Sequence, residues 1–168
     1  MTEPSSSSRW SEPEQLLTRA EQVISPGLDP PNSPLNLSPD GCLRVGVDLG
    51  TAYTVLAVLD EHNEPLIGEY KFAQVVRDGL VVDFIGAVDL LRGMKQRVEA
   101  KLGFQLSHAA TGFPPGVPAA ERQATANVVE AAGMICEHLI DEPTAANNVL
   151  GLKDGAIVDI GGGTTGIA

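Results

Sequence analysis

Apolar residues follow two rhythms along this chain. Near the start, Leu16, Leu17, Ala20, Val23 and Ile24 recur at i, i+1, i+4, i+7 and i+8, the single stripe of an amphipathic helix. A capping-box spacing from Ser11 to Glu14, with Pro13 in the first turn, opens that helix, and Pro26 and Gly27 stop it, so the pattern predicts a helix over 11–24. Residues 1–10 are Ser-rich and predicted to be disordered. Residues 25–42 contain five prolines and predict an extended linker.

From residue 43 the period shortens to two. Residues 44–48, 55–59 and 66–72 predict three antiparallel strands, turning at Gly50-Thr51 and at the polar stretch 60–65. After a turn at 77–79 and a short strand at 80–82, Asp83 caps a helix carrying Phe84, Val88, Leu91, Met94, Val98 and Leu102, which Gly103 ends. A strand at 107–113, a Pro114-Pro115-Gly116 break, a helix from Pro118 to Gly133 and a strand at 134–140 follow. Asp141 then caps a short helix from Glu142 that Gly151 closes. Three antiparallel strands followed by alternating helices and strands predict an α/β fold over 43–152, with 153–168 opening a further unit on a strand at 156–160.

A chain of 168 residues can bury one ordinary core. Its net charge of -11 opposes binding to nucleic acid or to an anionic membrane through bulk electrostatics. With no apolar stretch behind a basic start and none approaching a membrane span of ~20 residues, the expectation is a cytoplasmic protein. Cys42 and Cys136 fit a reduced pair rather than a disulfide framework. His62, His108 and His138 stand singly. His138 and Cys136 share a strand face by period two, which predicts a packed or hydrogen-bonded histidine and a small core residue.

Two stretches carry the candidate chemistry. V-G-V-D-L-G-T at 45–51 and V-D-I-G-G-G-T-T at 158–165 each end an apolar strand in an acid, Asp48 or Asp159, before a glycine turn. Backbone N–H groups freed by such turns, beside a carboxylate, are what a phosphate with its Mg²⁺ requires. The alternative is two plain glycine hairpins whose acids only shape the turns.

These motifs resemble the two phosphate loops of the ATPase superfamily shared by actin, sugar kinases, MreB and DnaK-type chaperones, and D-E-P-T-A-A at 141–146 resembles its connecting helix. More narrowly, V-V-R-D-G-L-V-V-D-F-I-G-A-V-D-L-L-R at 75–92 and H-A-A-T-G-F-P-P-G at 108–116 resemble the EutJ family of chaperone-like ethanolamine-utilisation proteins, over residues 43–168. The resemblance implies a ribonuclease-H-like first half, with ATP and Mg²⁺ as cofactors. Asp48 and Asp159 would hold the metal mostly through water, and the backbone around Gly50, Thr51, Gly161, Gly162, Gly163 and Thr164 would wrap the phosphates. Glu142 would orient the attacking water with help from Thr164; its alternative is a helix N-terminal charge worth about 0.3–1 kcal/mol. No catalytic lysine carries over, since Arg92, Lys95 and Arg97 match no motif.

Two functions follow. One is an ATP-dependent chaperone-like factor acting on enzymes of ethanolamine catabolism, an ammonia-lyase among them; the other is a non-catalytic scaffold or an inactive fragment of such an ATPase. The helix at 11–24 either docks on its own domain or a sister subunit, or lies on a microcompartment shell protein, as the resemblance suggests. In relatives the adenosine-holding part follows the second phosphate loop, so the expectation is that this chain lacks it, and that the strand at 156–160 is exposed and prone to self-association.

Overall fold

The structure, a computed structural model, describes residues 11–27 and 41–168. Helix α1 (Ser11–Val23) runs into a two-residue strand, β1 (Ile24–Ser25), and the main sheet follows with β2 (Arg44–Leu49), β3 (Tyr53–Leu59) and β4 (Pro65–Phe72). A small hairpin, β5 (Val76–Arg77) and β6 (Leu80–Val81), precedes α2 (Phe84–Leu102). The chain continues through β7 (His108–Phe113), α3 (Ala119–Ala131), β8 (Ile135–Asp141) and α4 (Glu142–Leu150), and closes with the hairpin of β9 (Val158–Ile160) and β10 (Thr165–Ile167).

Six strands form one sheet in the order β1-β4-β3-β2-β7-β8. β2, β3 and β4 are antiparallel, whereas β7 and β8 run parallel to β2 through helical crossovers, and β1 adds parallel to the outer edge of β4. Alternation decides which face is covered. Val45, Val47 and Leu49 of β2 and Leu56 and Val58 of β3 join Val88, Leu91, Met94 and Val98 of α2 and Val128 and Val129 of α3 in one buried cluster. Each such aliphatic side chain stabilises the fold by about 1.5–3 kcal/mol. Beneath this layer Glu69 is fully buried on β4, where Arg97 Nε of α2 donates to both of its oxygens at 3.0 Å and Lys71 Nζ lies 3.4 Å away. A buried carboxylate is tolerable only when paired in this way.

The predicted caps are in place. Asp83 Oδ1 accepts from Gly86 N at 2.9 Å and Asp141 Oδ1 from Thr144 N at 3.0 Å, while Gly103 and Gly151 take the left-handed conformation at the ends of α2 and α4.

Several expectations need correcting. The first helix stops at Val23, because Ile24 and Ser25 pair with Gly68 and Glu69 as a strand. The linker therefore loses Ser25, and most of it, like the predicted disordered residues 1–10, lies outside the described residues. The turn at 77–79 is narrower, since Arg77 belongs to β5 and only Asp78 and Gly79 have positive φ. Phe84 is exposed rather than packed. The register of β7 with β8 slips between Ala109 and Ala110, so Cys136 pairs with Ala109 and His138 with Ala110. That bulge breaks period two: Cys136 packs partly against the core, whereas His138 is exposed. The last strand begins at Val158 rather than 156, and β10 pairs with it antiparallel, so only its outer side is open.

Candidate functional site

The cleft forms where β2 ends. β2 and β7 present glycines, Gly46 and Gly112, on the face away from the core, and a glycine inside a strand marks a close approach to the sheet. At Gly112 the group that approaches is the Glu142 side chain, whose Cγ would lie 3.2 Å from a Cβ there. The first turn closes by Gly50 N donating to Tyr53 O at 3.0 Å, and the second by Gly161 N donating to Thr164 O at 2.9 Å.

The two turns touch. A Cβ at Gly162 would lie 2.9 Å from Ala52 Cβ, and one at Gly163 would lie 2.8 Å from Thr51 Oγ1, so only glycines let the second loop press against the first. Between them opens a cavity of about 570 Å³ lined by Asp48, Glu142 and Asp159 together with Gly50, Thr51, Gly161, Gly162 and Thr164. Gly163 alone of the predicted site residues does not line it, because it packs against Thr51. The sequence reading missed the apolar floor and wall, Val55, Ala57, Ala110, Ala145 and Ala146. Small residues on one strand face, beside the paired alanines after Pro143, were the available signal.

Three carboxylates in one cavity disturb one another. Burial, and then the Asp159 charge, raise the Asp48 carboxyl above its ordinary range. Glu142 is pushed up to about 7, first by burial, then by the charges of Asp48 and Asp159, a hydrogen bond to Asp159 and the Asp141 charge. A cation placed among them would relieve this repulsion, so the donor set suits a divalent ion. Among the described residues no three Asp, Glu, His or Cys groups converge tightly enough to cage a metal. An ion here would keep most of its water, as Mg²⁺ does beside phosphates.

Three of the α2 cations are engaged elsewhere. Arg97 is bound to Glu69, Lys95 Nζ lies 2.6 Å from Glu99, and Arg92 bridges Asp89 and the Ala131 carbonyl at the end of α3. His62 lies near Glu61, and His108 near Ser107 and Glu137, away from the cavity lining. Among the described residues no helix is long and apolar enough to cross a membrane.

Comparison with known proteins agrees with this geometry. The Hsp70 protein family model matches residues 82–168, just over half of the chain. The ethanolamine utilization protein EutJ of Escherichia coli strain K12 is 43% identical over 88% of this chain and 53% of its own length. The Salmonella typhimurium EutJ is 47% identical over 77% of this chain and 45% of its own. Among solved structures, EutJ from Carboxydothermus hydrogenoformans superposes with a TM-score of 0.76 at 45% identity, over 93% of this chain and 55% of that one. MreB 5 of Spiroplasma citri bound to AMPPNP shares the fold, with a TM-score of 0.58 at 22% identity over 77% of this chain and 49% of that one. The chain spans about half the length of the curated relatives it matches. The touching glycine turns, the shared carboxylate cavity and these matches together place the chain in the Hsp70 family, as an EutJ-like member of the actin/DnaK ATPase superfamily.

Proposed function

We propose that this chain supplies the phosphate-gripping lobe of a nucleotide-dependent, chaperone-like protein that serves the enzymes of ethanolamine catabolism. The observation that carries this reading is that Asp48, Glu142 and Asp159 share one cavity with both glycine turns. The names of the EutJ relatives and the AMPPNP of the MreB 5 structure support it. Asp48 and Asp159 would hold hydrated Mg²⁺, and the backbone of Gly50, Thr51 and 161–164 would receive phosphate oxygens. The metal would supply charge neutralisation. Glu142, with a carboxyl near neutrality, is suited to take a proton from water, and the Thr164 hydroxyl lies at the same mouth. Such chemistry is positioning plus electrostatics.

A second reading, binding without turnover as a scaffold, is favoured by one observation: Arg92, Lys95 and Arg97 of α2 are all engaged away from the cavity, and no lysine or arginine lines it. Titration calorimetry with MgATP and with Mg-tripolyphosphate tests the grip apart from any contact with adenosine. Tripolyphosphate should bind only with Mg²⁺, and D48A and D159A should each weaken it at least about tenfold, the equivalent of 1.4 kcal/mol. Binding that ignores both substitutions would refute the proposal. Phosphate release in the same samples separates turnover from the scaffold reading.

A further inference from the structure

The first glycine turn, Gly50-Thr51-Ala52-Tyr53, overhangs the sheet that carries it. β7 pairs with β2 only at Gly46 and Val47, so that neighbour does not reach the turn. Support comes from the opposite side. Ala73 N, just past the end of β4, donates to Ala52 O at 3.1 Å, and Tyr53 stands opposite Phe72 in the β3–β4 register. This turn also takes part in the closest fit of the site, because Gly162 and Gly163 press on Ala52 and Thr51 with no room for a Cβ. A small displacement of the turn therefore disturbs the cavity mouth.

The Tyr53 ring is where the support of β4 reaches the turn. It stands edge-on to two rings of β4, with centroids 5.7 Å from Phe72 and 5.8 Å from Tyr70 and interplanar angles of 76° and 75°. Edge-to-face rings at such separations attract, and cross-strand side-chain pairs are what stabilise a sheet locally. The cluster lies outside the hydrophobic core, since Phe72 is 65% and Tyr53 49% exposed. Tyr53 lines the cavity, whereas Tyr70 and Phe72 do not, and the Tyr53 carbonyl accepts the Gly50 N–H that closes the turn. One residue thus joins a ring cluster outside the cavity to the turn that borders it. Because no lysine or arginine lines the cavity, a polyphosphate there depends on its metal and on backbone and hydroxyl donors, and such donors are effective only when held in place.

We infer that Tyr53 is a positioning residue of the phosphate grip: its ring, held edge-on by Tyr70 and Phe72, sets the place of Thr51 and Ala52 against the second glycine turn. This rests on the phosphate reading above. The ring acts through the turn, and its hydroxyl is not needed.

The test uses the full chain with two readouts, amide exchange by NMR without ligand and calorimetry with Mg-tripolyphosphate. In Y53A the Gly50 amide should exchange at least about tenfold faster while Val47 and Val58 keep their protection, and tripolyphosphate should bind at least about tenfold more weakly. Y53F should restore both. F72A, which removes a ring outside the cavity, should weaken binding at least about threefold alone and add nothing in a Y53A background. A Y53F chain as impaired as Y53A would assign the effect to a hydroxyl contact and overturn the inference. Unchanged Gly50 exchange in Y53A, faster exchange throughout the sheet, or additive losses in the double variant overturn it as well. Exchange needs no ligand, so the hold of the ring on the turn is tested even where tripolyphosphate does not bind. D48A, which leaves the rings in place, separates a failure of the phosphate reading from a failure of this one.

Discussion

The two acidic hairpins that face each other across the cavity carry nearly the same motif and are built in opposite ways. Asp48 stands on β2, inside a six-stranded sheet whose Val45, Val47, Leu49 and Leu56 are buried. Asp159 stands on a two-stranded hairpin whose Val158, Ile160 and Ile167 are exposed, Ile160 at 77%. The first hairpin is fixed by burial and the second by close backbone approach: Gly162 and Gly163 lie against Ala52 and Thr51, and Gly166 lies between Pro115 and Pro143. In this chain one jaw is held by a buried sheet, and the other by these glycine contacts and by Ile157, which is buried.

The sharpest way to break this contrast is to truncate each side. L56A removes a side chain with no exposed surface and should destabilise the protein by about 3 kcal/mol, read from the urea midpoint. I160A should change it by less than about 0.5 kcal/mol. Comparable losses at both positions would show that the second hairpin is as firmly buried as the first.

A smaller effect is expected at the contact that holds the second hairpin. A Cβ at Gly166 would lie 2.9 Å from both Pro115 Cγ and Pro143 Cγ, and neither ring can turn away. G166A should weaken the docking of β9 and β10 by about 2 kcal/mol, the ordinary penalty for overpacking. Hydrogen exchange should then quicken at Ile157, Gly161 and Ala168, whose amides pair within the hairpin, while β2 and β3 stay protected. Quickening throughout the sheet would mean that the two regions open as one.

How far each region could be read from the sequence follows the same division. The strands of the main sheet, the Asp83 and Asp141 caps and the glycine stops are local signals, and they are where the pattern placed them. Asp48 and Asp159 were singled out as acids beside glycine turns and Glu142 through the resemblance, and the structure brings all three to one cavity. What failed depended on contacts between distant segments. Ile24 continues the helical stripe in sequence, yet the space beside Gly68 draws it into a strand. Period two put His138 inside, and one extra residue in the β8 register turned it out. Nothing around Glu69 announced that Arg97, twenty-eight residues on, would make its burial possible.

Glu142 links the two regions, and it gives the smallest but most specific prediction. Its carboxyl is raised from 4.5 to about 7 because burial and the charges of both jaws oppose ionisation. The folded state therefore holds the proton more tightly than the unfolded state, so the stability it brings is fully present below pH 4.5 and is lost as pH rises through 7. A shift this large would exceed 3 kcal/mol for a fully buried group. Glu142 is only half buried, and solvent screening reduces the expected effect to about 1 kcal/mol. In EDTA, E142Q should flatten the loss between pH 4.5 and 7 and be the more stable protein at pH 8, by thermal melts in matched buffers. Because Asp48 and Asp159 sit on different jaws, adding G166A, which lets the second jaw drift, should remove part of that pH dependence. An unchanged slope would assign the shift to burial, Asp48 and Asp141, and the second hairpin would then have no electrostatic hold on the first.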